Sequence, residues 1–248
     1  MTEPPVVLKL GGSVITEKER PETVAEEGLR RAAAAVGEHA GPLVLVHGGG
    51  SFGHPAAEAA GVSPESGTHD ASAIREIHAA MGRLNEAVLD ALDGAAVSAV
   101  PVRPLSTSVR RESGDLDVPT ATLRAMLAEG FVPVLHGDIV TSRGRGATIL
   151  SGDELVVALA RELDVDRIGL CTTVPGVLDE EQRVISRIAN FESVADVLEG
   201  SEATDVTGGM AGKVRALLSL ETDAHVFDLD GLESFLDGGA PGTTIGDG

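Results

Sequence analysis

Lysine is rare in this sequence, and where it occurs it sits beside glycine. Among 19 basic residues only Lys9, Lys18 and Lys213 are lysines. They accompany the segments Lys9-Leu10-Gly11-Gly12-Ser13, His47-Gly48-Gly49-Gly50-Ser51-Phe52-Gly53-His54-Pro55 and Thr207-Gly208-Gly209-Met210-Ala211-Gly212-Lys213, with Lys18 soon after the first. Consecutive glycines let the backbone turn with positive φ and bring N–H groups close to a bound group without Cβ interference. An ammonium group adds a compact point charge for phosphate oxygens. Lys9 lies inside an otherwise apolar strand, which is costly unless an anion or an acid meets it. Pro55 suits the first turn of a helix whose N-terminus would face the same anion, with His54 at that mouth as a hydrogen-bond donor. The expected guest is a phosphate. The bland alternatives are a tight turn for the paired glycines and a solvated loop lysine at residue 18.

Two familiar nucleotide motifs fit poorly. Gly48, Gly50 and Gly53 satisfy G-x-G-x-x-G, but the acid at the right distance, Asp70, lies in a turn-like stretch with no apolar strand leading into it. The third segment is not a Walker A loop, since Val214 stands where Ser or Thr must hold Mg²⁺.

The elements that must position these residues are legible as short apolar runs alternating with helical patterns. Strands are expected over 6–10, from 44 to 47, and over 96–102, 132–135, 167–171, 224–229 and 242–245. Helices are expected over 21–39, from Pro55 onward, over 119–130, 151–163 and 210–220, and where Ile74, Ile77, Met81, Leu84, Val88 and Leu92 recur at spacings of three and four. Ser151 is placed to cap its helix, and Asp153 in that first turn commonly does no more than favour the dipole. Hairpins are expected over 106–118 and 141–149, and Val174-Pro175-Gly176-Val177 reads as a type II turn leaving a strand where an adenine or ribose often rests. The pattern predicts a three-layer α/β/α sandwich around a mainly parallel sheet. At 248 residues one domain or two closely joined lobes are both allowed.

Composition narrows the function. The 39 acidic residues give a formal charge of -20, which argues against a nucleic-acid or anionic-membrane partner. Cys171 is the lone cysteine, so no intrachain disulfide forms and a reducing compartment is expected. No leader pattern or membrane-length apolar run is evident, and a cytoplasmic protein is the expectation. The acidic balance resembles that of a high-salt protein, and either selection for salt tolerance or a GC-rich codon bias would remove lysines from exposed positions.

Taken in order, the three glycine segments and Ile149-Leu150-Ser151-Gly152-Asp153 resemble the amino acid kinase superfamily over nearly the whole chain, which implies a single domain over 1–248 with an acceptor-binding half over about 1–160 and a nucleotide-binding half over about 161–248. The Gly-Ser-Phe-Gly-His end of the second segment points to the branch that phosphorylates isopentenyl phosphate in archaeal-type isoprenoid synthesis. The resemblance implies that Lys9, Gly11, Gly12 and Ser13 hold the ATP phosphates and that Lys18 stabilises the transferring phosphoryl group. It implies that Gly49 faces the acceptor phosphate and Gly50 the nucleotide, that His54 binds the acceptor phosphate, and that Gly152 lines its pocket. Asp153 would orient Lys9 and Lys213, and Gly209 and Lys213 would contact the nucleotide. Thr173 stands where relatives commonly carry Asp on the nucleotide side. ATP and Mg²⁺ are implied as cosubstrate and cofactor, without a protein metal site, together with a homodimer and a halophilic archaeal source. Alternatives are another small acceptor, such as a fosfomycin-like phosphonate or an amino-acid carboxylate, or a nucleotide-binding protein without catalysis; a nicotinamide oxidoreductase would rest on the glycine fingerprint alone.

A phosphate monoester needs no general base to act as a nucleophile, so the sequence lacks nothing such chemistry requires. The excess of acids does predict a dependence on salt. Screening shortens from about 30 Å at 0.01 M to about 3 Å at 1 M, so the melting temperature should rise with molar salt. A melting temperature that stays flat across that range would reject salt adaptation as the reason for the acidic surface.

Overall fold

A computed structural model describes residues 3–199 and 209–247. The elements follow one another as β1 (Val6–Leu10), α1 (Gly12–Ile15), α2 (Glu26–Glu38), β2 (Leu43–His47), α3 (Gly50–Ala60), α4 (Ala71–Gly94), β3 (Ala99–Pro101) and α5 (Pro104–Thr107). Next come β4 (Val109–Arg110), β5 (Leu116–Asp117), α6 (Thr120–Ala128), β6 (Val132–His136), β7 (Asp138–Ser142), β8 (Gly146–Leu150), α7 (Gly152–Glu162) and β9 (Arg167–Thr172). The chain closes with β10 (Arg187–Ile188), α8 (Ala195–Glu199), α9 (Gly209–Leu217), β11 (Ala224–Asp228), α10 (Leu232–Leu236) and β12 (Thr243–Ile245).

Among the described residues, eight strands form one sheet in the order β10-β12-β11-β9-β1-β2-β6-β3, parallel except where β12 runs against β11. Parallel strands need both faces covered, and the apolar runs supply that. Every residue of β1 and β2 is buried. On one face Val7, Val44 and Val46 pack with Leu155, Val156 and Leu159 of α7. On the other, Leu8, Leu10, Leu43 and Leu45 meet Leu29 and Val36 of α2 and Met81, Leu84 and Val88 of α4. The α/β/α sandwich is therefore as expected. The two expected hairpins are joined into a separate four-stranded sheet, β5-β4-β7-β8, through a parallel pairing of β4 with β7.

Three local expectations are corrected. The first long helix begins at Glu26 rather than Pro21, because residues 17–23 close a loop in which Glu17 N–H donates to the Thr23 carbonyl at 2.9 Å and Thr16 bridges Val24. The helix after the triple glycine begins at Gly50, so Pro55 lies inside it and His54 on its second turn rather than at its mouth. Gly176 does not take the positive φ that a type II turn demands. It is glycine because a Cβ there would lie 2.7 Å from both Thr243 Oγ1 and Val184 Cγ1. Among the described residues, no helix is long and apolar enough to cross a membrane.

A buried polar node ties the sheet to α4 beneath the glycine loop. The His47 ring, fully buried at the end of β2, bridges the Gly48 carbonyl and the Asn85 side-chain amide, each at 3.1 Å. Burial and the neighbouring His136 push its pKa down to about 3, against the opposing hydrogen bonds. An unfolded histidine titrates near 6.5. The unfolded chain therefore binds the proton first as pH falls, and stability is complete above about pH 6.5 and lost toward pH 3, by up to about 1.4 kcal/mol per pH unit from this group. Denaturant titrations at pH 7, 5.5 and 4.5 should show a shallower decline in His47→Asn than in the parent chain. Equal slopes would remove His47 as the source.

Candidate functional site

Alternation along β1 decides where Lys9 goes. Successive strand residues face opposite sides, so Lys9 shares the face of Val7, toward α7, while Leu8 and Leu10 face α2 and α4. Its Nζ lies 2.6 Å from Asp153 Oδ1, and Lys213 Nζ lies 3.8 Å from Oδ2 of the same carboxylate. Capping of α7 falls to other groups: Ser151 Oγ accepts the Glu154 N–H at 3.1 Å and the Glu154 carboxylate accepts the Ser151 N–H at 3.0 Å. Asp153 is thereby released to gather the two ammonium groups, which is more than the dipole role its position suggests. Burial works to raise its pKa, but the charges of Lys9 and Lys213 outweigh it and hold the carboxyl below its usual range. Gly152 is buried beneath this pair, and a Cβ there would lie 3.1 Å from Lys9 Cε.

The first two glycine segments meet backbone to backbone. A Cβ on Gly12 would collide with the Gly50 N and Cα, one on Gly48 would lie 2.7 Å from the Gly12 N, and one on Gly50, at φ +46, would strike Thr16 Oγ1. Of the three consecutive glycines only Gly50 takes the positive φ expected of them. Several N–H groups here are already used: Gly11 donates to the Cys171 carbonyl at 2.8 Å, Gly48 to Leu10 at 3.0 Å, and Phe52 and Gly53 to Gly49 at 3.0 Å. Among the described residues, the N–H groups of Gly12, Ser13, Gly49, Gly50 and Gly152 have no acceptor. Gly11 therefore turns the chain rather than offering a donor, and the remaining N–H groups form a cradle suited to anionic oxygens.

The other expected residues surround this centre at varying distance. Thr173 and Ser13 line one cavity of about 270 Å³ with Val14, Thr172, Asp228 and Leu229, at the carboxyl ends of β9 and β11. Gly209 opens α9 one turn before Lys213, so the two share a helix face. Residues 205–208 of that loop lie outside the described residues. Lys18 sits exposed in a turn and makes no ion pair among the described residues, while His54 is exposed on α3. Asp70, the acid of the dinucleotide reading, caps α4 by accepting the Ser72 N–H at 2.8 Å. Met81 packs its sulfur against Gly49 and Gly53, a packing role.

Sequence reasoning missed Thr16, Glu22 and Arg83. Thr16 Oγ1 donates to the Gly12 carbonyl at 2.8 Å and accepts the Ser51 N–H at 3.0 Å, pinning one glycine loop to the other. The Glu22 carboxylate is gripped by Arg83 on α4, whose Nε lies 2.9 Å away. These contacts join residues far apart in the chain, and no local spacing announces them.

The Amino acid kinase family model matches residues 4–226. An isopentenyl phosphate kinase from Haloferax volcanii is 59% identical over 97% of this chain and 98% of its own length, and one from Methanocaldococcus jannaschii is 35% identical over 90% of each. Among solved structures, one described as an isopentenyl phosphate kinase superposes with a TM-score of 0.82 at 27% identity, covering 97% of this chain and 99% of the other. The chain belongs to the amino acid kinase family, in the branch formed by these isopentenyl phosphate kinases.

Proposed function

We propose that this protein transfers the γ-phosphoryl group of ATP to isopentenyl phosphate, giving isopentenyl diphosphate for isoprenoid synthesis. The observation that carries the reading is the contact of Gly12 with Gly50, which sets two groups of unpaired N–H donors side by side where two phosphate-bearing substrates must meet end to end. The relatives' shared name supports isopentenyl phosphate as the acceptor.

Two polyanions repel, and the barrier lies in bringing them together in line. Gly12 and Ser13 receive the ATP phosphates by their N–H groups, with Gly11 shaping the turn and Lys9 and Lys213 supplying charge. Asp153 spaces those two ammonium groups. Gly209 and Thr173 border the nucleotide, and Gly50 sits between the substrates. On the acceptor side Gly49, His54 and Gly152 hold the monophosphate. Lys18 meets the oxygens of the phosphoryl group in flight, where charge spreads in the transition state. Mg²⁺ neutralises phosphate charge when bound. It would arrive on the triphosphate, beside the charges of Lys9 and Lys213. Residues to about 160 form the acceptor half and those from about 161 the nucleotide half. The family resemblance implies a homodimer, and ATP with a single reduced cysteine points to the cytoplasm.

Paired assays with isopentenyl phosphate, dimethylallyl phosphate and fosfomycin should show the highest kcat/KM for the first; preference for fosfomycin would overturn the acceptor. Lys18→Ala should lower kcat by roughly two to three orders of magnitude with little change in KM for ATP, because its contact matters chiefly in the transition state. An unchanged kcat returns Lys18 to a solvated loop residue. His54→Ala should cost about 1.5 to 3 kcal/mol in kcat/KM for the acceptor, the range for a hydrogen bond to a charged group, and His54→Gln should recover part of it. Identical acceptor KM values in His54→Ala and the parent would remove His54 from the site.

A further inference from the structure

Proline in a helix interior removes the N–H that would bond to the carbonyl four residues back, and its ring pushes that carbonyl outward. In α3 the proline is Pro55 and the carbonyl is that of Ser51. It is not left unpaired: it accepts the Glu22 N–H at 3.0 Å. The same serine holds the loop twice more, since its Oγ lies 3.4 Å from both the Thr23 N–H it accepts and the Thr23 carbonyl it donates to. Glu22 is one of the non-glycine residues with positive φ, at 47°, and its side chain is gripped by Arg83 of α4. The 17–23 loop is closed at its root by Glu17 N–H to Thr23 and by Ala25 N–H to Ile15, each at 2.9 Å. Lys18 projects from that loop with no ion pair of its own among the described residues, so the bonds that hold the loop set its aim.

We propose that Pro55 is a positioning residue for Lys18: its missing N–H leaves the Ser51 carbonyl to Glu22, and this bond docks the lysine loop on the helix that carries the acceptor-side cradle. The inference rests on the transition-state role of Lys18 and adds the means by which the loop is registered against α3. A single helix thereby presents Gly50 and His54 from its own turns and fixes Lys18 through a borrowed carbonyl.

Pro55→Ala restores a donor that competes for the Ser51 carbonyl and frees it to turn back into the helix. The variant should not lose melting temperature, since alanine favours a helix interior over proline. Its kcat should fall roughly ten- to a hundredfold, the scale for a displaced reacting group, with KM for ATP and for isopentenyl phosphate within about twofold of the parent. Amide hydrogen exchange at Glu22 should accelerate. In a Lys18→Ala background the same substitution should change kcat no further. Arg83→Gln, which loosens Glu22 from the other side, should repeat the pattern more weakly and also lose its effect without Lys18. Parental kcat in Pro55→Ala, a loss that persists in full without Lys18, or a selective rise in acceptor KM pointing to His54 instead would overturn the proposal. Parental kcat in Lys18→Ala itself would identify the failure as that of the lysine's role and overturn both.

Discussion

Gly12 and Gly50 approach closely enough that no side chain fits at either position, and most of the site depends on that contact. It brings the loop after β1 and the loop after β2 into one surface, and parallel neighbours with matched register make this possible. Leu10 pairs with His47 across β1 and β2, so both strands end at the same level and their turns emerge side by side. Thr16 locks the arrangement with one hydroxyl that serves a carbonyl of the first loop and an N–H of the second. A larger residue at Gly12 would separate two halves of a binding surface and not merely perturb a turn.

Charge is organised around the same strand. In a chain of formal charge -20, the few lysines are held by specific means: Lys9 by strand alternation and Asp153, Lys213 by the same carboxylate, and Lys18 by the backbone geometry of its loop. Asp153 is available for this because Ser151 and Glu154 carry the helix cap between them. Glu154 is itself engaged by Arg110 at 2.6 Å, which connects the cap to the smaller sheet.

The layers, the mainly parallel sheet and the family were readable because they rest on periodic burial and on glycines at fixed places after strands. Lys9 in an apolar run and Gly12 after it were visible for that reason. What escaped the sequence depends on tertiary partners. The start of α3 at Gly50 was hidden because Pro55 suggests an N-terminus, and only Glu22, about thirty residues earlier, explains how a proline is accommodated further in. The start of α2 was hidden likewise, since residues 21–25 could continue a helix but are claimed by the loop around Lys18. Gly176 invited a turn type, and packing against Thr243 was the actual cause.

The place of β1 in the sheet has a consequence for how the molecule is made. It precedes both of its neighbours in the chain, yet it lies in the interior of the sheet, between β2 at residues 43–47 and β9 at residues 167–172. Its second edge therefore has no partner until residues 167–172 have been translated, and contacts of such sequence separation form slowly because loop closure precedes their reward. During that interval the edge of a strand that is apolar but for a single lysine is open to wrong pairing. Lys9, unmatched by Asp153 until α7 exists, would then act as a gatekeeper, a charge that discourages association in the nascent chain before it meets its carboxylate in the finished one.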